Sequence, residues 1–203
     1  MKMMPKVKAI ILDLGNVLMF HDNALLYRRL GELGGVSAEA VEQLVSPEIW
    51  ERLHRDPLDG EAIQREVCSA LGVTLRPEEF AEVWNCHFTP NDAIAPIVES
   101  LVGRTQLVVL SNTNALHAEY LRRRLPLLEK FDHLLFSHEL GWAKPDPRIY
   151  LEALRRTGAM PSQAAFFDDV PQYVEAARQL GIVGHVFRSV EEFAHQLALL
   201  GLR

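Results

Sequence analysis

An apolar run that ends abruptly in an acid constrains this chain more than any other feature. Val7 to Leu12 is apolar apart from Lys8, rich in β-branched residues, and free of Pro and Gly. Such a run reads as a strand buried on both faces, the kind found in a parallel sheet. It leads directly into Asp13, whose charge cannot stay inside the run. Gly15 and Asn16 follow, and both tolerate the positive φ that a sharp exit from a strand often needs. A carboxylate at the carboxyl end of a central parallel strand lies where α/β sheets place their ligands. The competing reading of this stretch is an ordinary strand that ends in an Asx-turn.

The chain after this strand divides into two kinds of pattern. From about His21 to Leu101 it reads as entirely helical, with no credible strand. Asn23 is the expected cap of a first helix carrying Leu25, Leu26, Leu30 and Leu33, stopped by Gly34-Gly35. Ser37 caps a second helix, Ser46-Pro47 breaks the pattern, and Ile49 to Leu53 forms a further turn. Asp59 opens a helix that Gly72 ends, Pro77 starts another through Trp84, and Asp92 to Leu101 gives one more. From Gln106 strands and helices alternate. The strands are Leu107–Leu110, His133–Ser137, Ala164–Phe167 and Ile182–Phe187. The helices run to about Leu125, then over Pro147–Arg156, Val174–Leu180 and Val190–Leu200. Alternation of this kind implies right-handed crossovers and helices on both faces of a parallel sheet. The expected fold is therefore α/β, a Rossmann-like parallel five-stranded sheet with an all-helical cap inserted after strand one. Residues 1–20 with 102–203 would form the core, and 21–101 the cap.

At 203 residues the chain is long enough to bury such a core. Its 48% hydrophobic and 24% charged residues are those of a globular protein, and no internal repeat stands out. The net charge of −6, with Lys and Arg scattered, argues against nucleic acid or an anionic membrane as a partner. An anion must then be bound locally, by a metal, a lysine or backbone N–H groups. Cys68 and Cys86 have no metal-ligand spacing and read as reduced thiols, which fits a cytoplasmic setting. The basic stretch Met1 to Lys8 precedes an apolar run, but Asp13 interrupts that run before it could serve as a signal or membrane segment.

Three expected strands end in reactive groups: Asp13, Ser111-Asn112 and Asp168-Asp169. Lys144 lies between the last two, in Gly141-Trp-Ala-Lys-Pro-Asp-Pro147. Pro145 and Pro147 exclude a helix interior, so Lys144 sits on a loop that can point inward. A parallel sheet brings all of these to one edge. Close carboxylate pairs there cost about 4 kcal/mol each at an effective dielectric of 20. A divalent cation removes that cost, and hard oxygen ligands select Mg²⁺ with a phosphate completing its shell. Lys144 adds a positive charge, and Ser111 with its neighbouring N–H groups adds neutral donors. The set suits a phosphoryl group attacked by a carboxylate. Singly, the pieces have plainer readings: a strand-end turn at Ser111-Asn112, a helix cap at Asp168-Asp169, a solvated Lys144.

Across nearly its whole length the sequence resembles the haloacid dehalogenase-like hydrolase superfamily. Asp13-Leu-Gly-Asn-Val-Leu18 is similar to the first motif of that family and Val109-Leu-Ser-Asn-Thr-Asn114 to the second. Lys144-Pro-Asp-Pro-Arg-Ile-Tyr150 and Phe166-Phe-Asp-Asp169 are similar to the third and fourth. The resemblance implies that Asp13 is a nucleophile forming an aspartyl-phosphate, and that Ser111 and Lys144 hold the transferring group. It implies Mg²⁺ on the Asp13 carboxylate, the Gly15 carbonyl, Asp168 and Asp169, with the direct ligand of the last two left open. Asn16, Ser111, Asn112 and Lys144 are the expected substrate-binding groups. Phosphatases of the family usually carry a general acid/base Asp two residues after the nucleophile, where this chain has Gly15. The Asp-Leu-Gly-Asn-Val form resembles a branch that includes glucose-1-phosphate phosphatases, whose anomeric leaving group needs less help from an acid.

The implied activity is therefore Mg²⁺-dependent hydrolysis of small phosphorylated metabolites, chiefly sugar phosphates, by a monomer or homodimer. Metal-free haloacid dehalogenation and non-catalytic metabolite or partner binding are the alternatives that Gly15 motivates. Substitutes for the missing acid are His21, Asp22, Glu51 and His54, while Trp50, Trp84 and Trp142 are candidates for a sugar-facing surface.

Overall fold

The opening apolar run forms the middle strand of the sheet that organises the molecule. The computed structural model describes residues 6–45 and 47–202, so Ser46 of the expected Ser46-Pro47 break and most of the basic N-terminal stretch lie outside the described residues. Strand β1 spans Ala9–Leu12, all four residues buried. A two-stranded antiparallel ribbon follows, made of β2 (Met19–His21) and β3 (Phe88–Pro90), and five helices lie between its strands. These are α1 (Asn23–Gly34), α2 (Ala38–Leu44), α3 (Pro47–Arg55), α4 (Gly60–Leu71) and α5 (Pro77–Trp84). Then come α6 (Ala95–Leu101), β4 (Gln106–Ser111), α7 (Ala115–Arg124), β5 (His133–Phe136) and α8 (Ser137–Leu140). The chain finishes with α9 (Pro147–Thr157), β6 (Ala164–Asp168), α10 (Pro171–Gln179), β7 (Val183–Val186) and α11 (Val190–Leu199).

The sheet order is β5-β4-β1-β6-β7, all pairs parallel. The chain builds outward from β1 through β4 and β5, then returns to the other flank of β1 with β6 and β7, so order reverses beside β1. Ligand crevices of open α/β sheets form at such reversals. The register pairs Leu12 with Val109 on one side and Phe167 on the other, so Asp13 and Asp168 emerge one step later, side by side.

Alternation along the strands sends residues to two cores. Ile10, Leu12, Leu107, Val109 and Phe167 pack with Val98, Leu121 and Phe193 from α6, α7 and α11. Ala9, Ile11, Val108, Leu110 and Phe166 pack with Ile149, Tyr150, Val174 and Ala177 from α9 and α10. Both faces of the sheet are therefore covered, as an all-parallel sheet requires. A third cluster, centred on Leu26, Leu30, Leu53, Ile63, Phe80 and Trp84, belongs to α1–α5. Ile94, Val98 and Leu101 pack on the sheet rather than in this third cluster.

Three local expectations need correcting. The stretch from His21 to Leu101 is not strand-free, because Phe88–Pro90 pairs with Met19–His21 across the two ends of the helical segment. Three residues with a Pro among them carry no readable period, and the pairing is purely long-range. Asp22, not Asn23, caps α1, its carboxylate accepting from the Leu25 N–H at 3.2 Å. The one-turn helix α8 was not anticipated, since four residues give no helical period. No helix among the described residues is long and apolar enough to cross a membrane.

Candidate active site

The parallel register places three acids at one strand edge. One ligand oxygen from each of Asp13, Asp168 and Asp169 lies within 4.8 Å of the others. Asp13 and Asp168 are buried, at 7% and 0% exposure. Between them stands Lys144, 3% exposed. Its Nζ lies 2.7 Å from Oδ1 of Asp13 and 2.6 Å from Oδ2 of Asp168. The contact to Asp168 is an aligned hydrogen bond. That to Asp13 is a buried ion pair.

The Lys144 loop is held by a device that spacing alone does not reveal. Oδ1 of Asn112 accepts from the Lys144 backbone N–H at 2.7 Å, while Nδ2 donates to the Lys144 carbonyl at 2.9 Å. Asn112, expected among the substrate-binding groups, thus has both ends of its amide engaged by the backbone of Lys144. The ring of Tyr173 lies 5.2 Å from Lys144 Nζ, a cation–π distance. The loop after β4 is fastened in turn by Ser137, whose Oγ accepts from the Thr113 N–H at 3.0 Å.

Burial and charge oppose each other here. Burial pushes the Asp13 carboxyl up to about 7, against the pull of Lys144 and with help from Asp168. Burial alone would pull the Lys144 ammonium down, but Asp13 and Asp168 outweigh it and its pKa is raised. Lys144 is therefore a permanent cation between two acids. Asp168 is fully engaged, since its Oδ1 accepts from the Val170 N–H at 2.8 Å. Asp169 is half-buried and accepts at 2.9 Å from Nδ2 of Asn16, which stands in the left-handed region at φ 52.

The carboxylates of Asp13 and the lightly engaged Asp169 are the groups on which a cation could sit. The donors are all carboxylate oxygens, a set that fits a hard divalent ion and not a soft one. Ser111 ends β4 with 3% exposure and lines the same cavity, with Asp13, Lys144 and Asp169.

Gly15 has no left-handed φ. Its missing side chain matters for another reason: a Cβ there would stand 3.3 Å from the His21 ring. His21 therefore fills the space into which a longer residue at position 15 would project. Nδ2 of Asn16 must face Asp169, which can only accept, so the same amide donates to Nε2 of His21 at 3.3 Å.

Of the other candidates, His54 and Trp50 line the cavity, which measures about 330 Å³. Asp22 and Glu51 do not line it: Asp22 caps α1 and Glu51 pairs with Arg55 at 3.0 Å. Trp84 is fully buried behind Trp50, their rings stacked at 5.2 Å. Trp142 lies elsewhere, under the Arg148 guanidinium at 5.2 Å. The sequence did not single out Tyr27, His87, Phe88 and Tyr173, which line the cavity together with His117. His117 could have been found from the i, i+4 pairing that sets it on one helix face with Leu121; Phe88 depends on the ribbon and had no local signal.

A description of haloacid dehalogenase-like hydrolases matches residues 7–181. D-ribitol-5-phosphate phosphatase of Bacteroides thetaiotaomicron is 24% identical over 185 residues, 86% of this chain and 89% of that protein. A phosphorylated carbohydrates phosphatase of Thermotoga maritima is 37% identical over 79 residues, 39% of this chain and 37% of that one. The crystal structure of a family enzyme from Bacteroides thetaiotaomicron, in complex with magnesium and inorganic phosphate, superimposes with a TM-score of 0.85 at 20% identity. It covers 94% of this chain and 98% of its own. With the family description running from the opening strand through α10, and the four strand-end motifs meeting at one cavity, the chain belongs to the haloacid dehalogenase-like hydrolases.

Proposed function

We propose that this hydrolase is a Mg²⁺-dependent phosphatase of small phosphorylated metabolites, sugar phosphates foremost, working through an aspartyl-phosphate on Asp13. The observation that carries the reading is the cluster of Asp13, Asp168 and Asp169 within 4.8 Å, with Lys144 buried among them. The names of the two carbohydrate phosphatases it resembles support the substrate class.

In this reading a carboxylate oxygen of Asp13 attacks phosphorus, and the ester P–O bond breaks with its electron pair going to the leaving alkoxide. Lys144 and Ser111 hold the phosphoryl oxygens while charge builds on them. Water then attacks the aspartyl-phosphate, releasing inorganic phosphate and restoring Asp13. The leaving oxygen needs a proton and the water must lose one. His21, whose ring stands beside Gly15, is the chain's group for both steps, and its Nε2 must then exchange the Asn16 amide for the leaving oxygen or the water. The Asp13 carboxylate, the Gly15 carbonyl and Asp169 would hold Mg²⁺, which when bound would supply Lewis-acid charge neutralisation. Asp168, with both oxygens engaged, orients Lys144 rather than binding the ion directly. Helices α1–α5 act as the cap that the sequence places within residues 21–101, and α6 closes the sheet.

The test is phosphate release from a panel of sugar phosphates and acetyl phosphate, in Mg²⁺ and in EDTA. Release in Mg²⁺ that EDTA abolishes is expected. Metal-independent release of halide from a 2-haloacid would favour attack on carbon instead. Binding of phosphates without any release would make the chain a binding protein.

A further inference from the structure

Helices α1 and α3 contribute part of the cavity wall, through Tyr27, Trp50 and His54. Trp50 anchors it: its Nε1–H donates to Oη of Tyr27 at 3.2 Å, and its ring lies 5.2 Å from Trp84 and 5.7 Å from His54. Tyr27 is the acceptor in that bond, so its own hydroxyl proton is free to donate into the cavity. Burial is the main force holding the His54 imidazole neutral, and the charge of Lys144 adds to it, bringing its pKa down to about 4. Among the described lining residues Lys144 is the one Lys or Arg, and two carboxylates already pair with it.

Away from Lys144 and the proposed metal ligands, a second negative group on a substrate would thus meet no lysine or arginine among the described lining residues. At about 330 Å³ the cavity is also at the small end of the roughly 300–1,000 Å³ range of ligand pockets. Aromatic faces rimmed by neutral donors and acceptors match a carbon skeleton bearing hydroxyls.

We propose that Tyr27, Trp50 and His54 make the site selective for small monophosphates whose remainder is uncharged and hydroxylated. The skeleton rests on the Trp50 ring, and Tyr27 and His54 exchange hydrogen bonds with its hydroxyls. The selectivity rests on the phosphatase reading and adds to it which members of the phosphate class are rejected.

Matched substrates test it on the wild-type enzyme: glucose 6-phosphate against 6-phosphogluconate, and fructose 6-phosphate against its 1,6-bisphosphate, with acetyl phosphate as a reference lacking any skeleton. The uncharged member of each pair is expected to have a kcat/KM roughly 100-fold higher or more, because the extra anion must be desolvated unpaired. His54→Lys should narrow that gap at least roughly 10-fold by supplying the absent cation. Trp50→Phe should keep the preference, and Trp50→Ala should lower kcat/KM for glucose 6-phosphate more than for acetyl phosphate. Equal turnover within the pairs, or a gap that His54→Lys leaves unchanged, would overturn the assignment while phosphate release itself persists. Failure to hydrolyse any phosphate, acetyl phosphate included, would bring down the phosphatase reading and this selectivity with it.

Discussion

The strand edge and the wall of α1 and α3 face one cavity and are made of opposite materials. At the edge stand three acids and one lysine, with Asp13, Lys144 and Asp168 almost removed from solvent and dependent on one another for charge balance. On the wall stand Tyr27, Trp50 and His54, with His87 and His117 beyond, all of them neutral or held neutral. The edge rests on a parallel sheet covered on both faces, so its geometry is set by backbone register. The wall rests on short helices packed around their own cluster and meeting the rest of the molecule at α7 and α8. One such link is His117 of α7, whose Nε2 lies 3.2 Å from the Trp84 carbonyl of α5. Another is Gly60, where a Cβ would meet Leu116 at 2.7 Å. In the proposed reading the charged edge serves the reacting phosphate, and the neutral, separately built surface sorts what the phosphate is attached to.

Substitutions on the two sides should therefore fail in different ways. Asp13→Asn should have the largest effect, lowering phosphate release by at least about 10³-fold with the fold retained, as circular dichroism would check. Turnover at the wild-type rate would mean that the nucleophile lies elsewhere. Lys144→Ala leaves two buried carboxylates without their cation. It should cost about 3–5 kcal/mol in urea unfolding and roughly 10²-fold or more in kcat. An unchanged unfolding midpoint would break the picture of a mutually dependent charge cluster.

His21→Ala should lower kcat roughly 100-fold on an ordinary alkyl phosphate and less on an anomeric one, whose leaving group needs less protonation. Equal losses on both would reduce His21 to a packing residue. The smallest effect concerns the wall and pH. Burial pushes His87 down to about 4, as it does His54, and pushes His117 well below its usual value. The unfolded chain takes up protons on these residues below about 6.5, where the folded chain does not, so the contribution of His54 and His87 is lost as pH falls from about 6.5 to about 4 and that of His117 acts in the same sense. Asp13, raised to about 7, acts in the reverse sense: its contribution is lost as pH rises from about 4 to about 7. Thermal melts in the Asp13→Asn background should isolate the histidines and show stability rising with pH. His87→Gln should flatten that rise, and a slope of the other sign would contradict the assignment.

Much of the edge was legible beforehand because its signals are local. A buried parallel strand is a continuous apolar run, and a charged or polar group closing such a run can only sit at its end, as Asp13, Ser111 and Asp168 do. The helix stops at Gly35 and Gly72 and the caps at Ser37 and Asp59 were equally local. The wall was not legible. Trp50, Trp84 and Trp142 look alike in a sequence, yet one lines the cavity, one is buried behind it and one lies under an arginine. The β2–β3 ribbon joins segments nearly seventy residues apart through three weakly patterned positions each, and nothing local announces it.

The order of apolar and polar residues by itself determined a parallel sheet with its acids and lysine at one edge, because strand period and chain crossover rules leave little freedom once the elements alternate. Only the tertiary structure decided that Asp168 pairs with Lys144 while Asp169 accepts from Asn16, that the His21 ring stands beside Gly15, and which aromatic rings line the cavity. Those outcomes depend on side-chain direction and on contacts between distant segments, which packing settles and residue order does not encode locally.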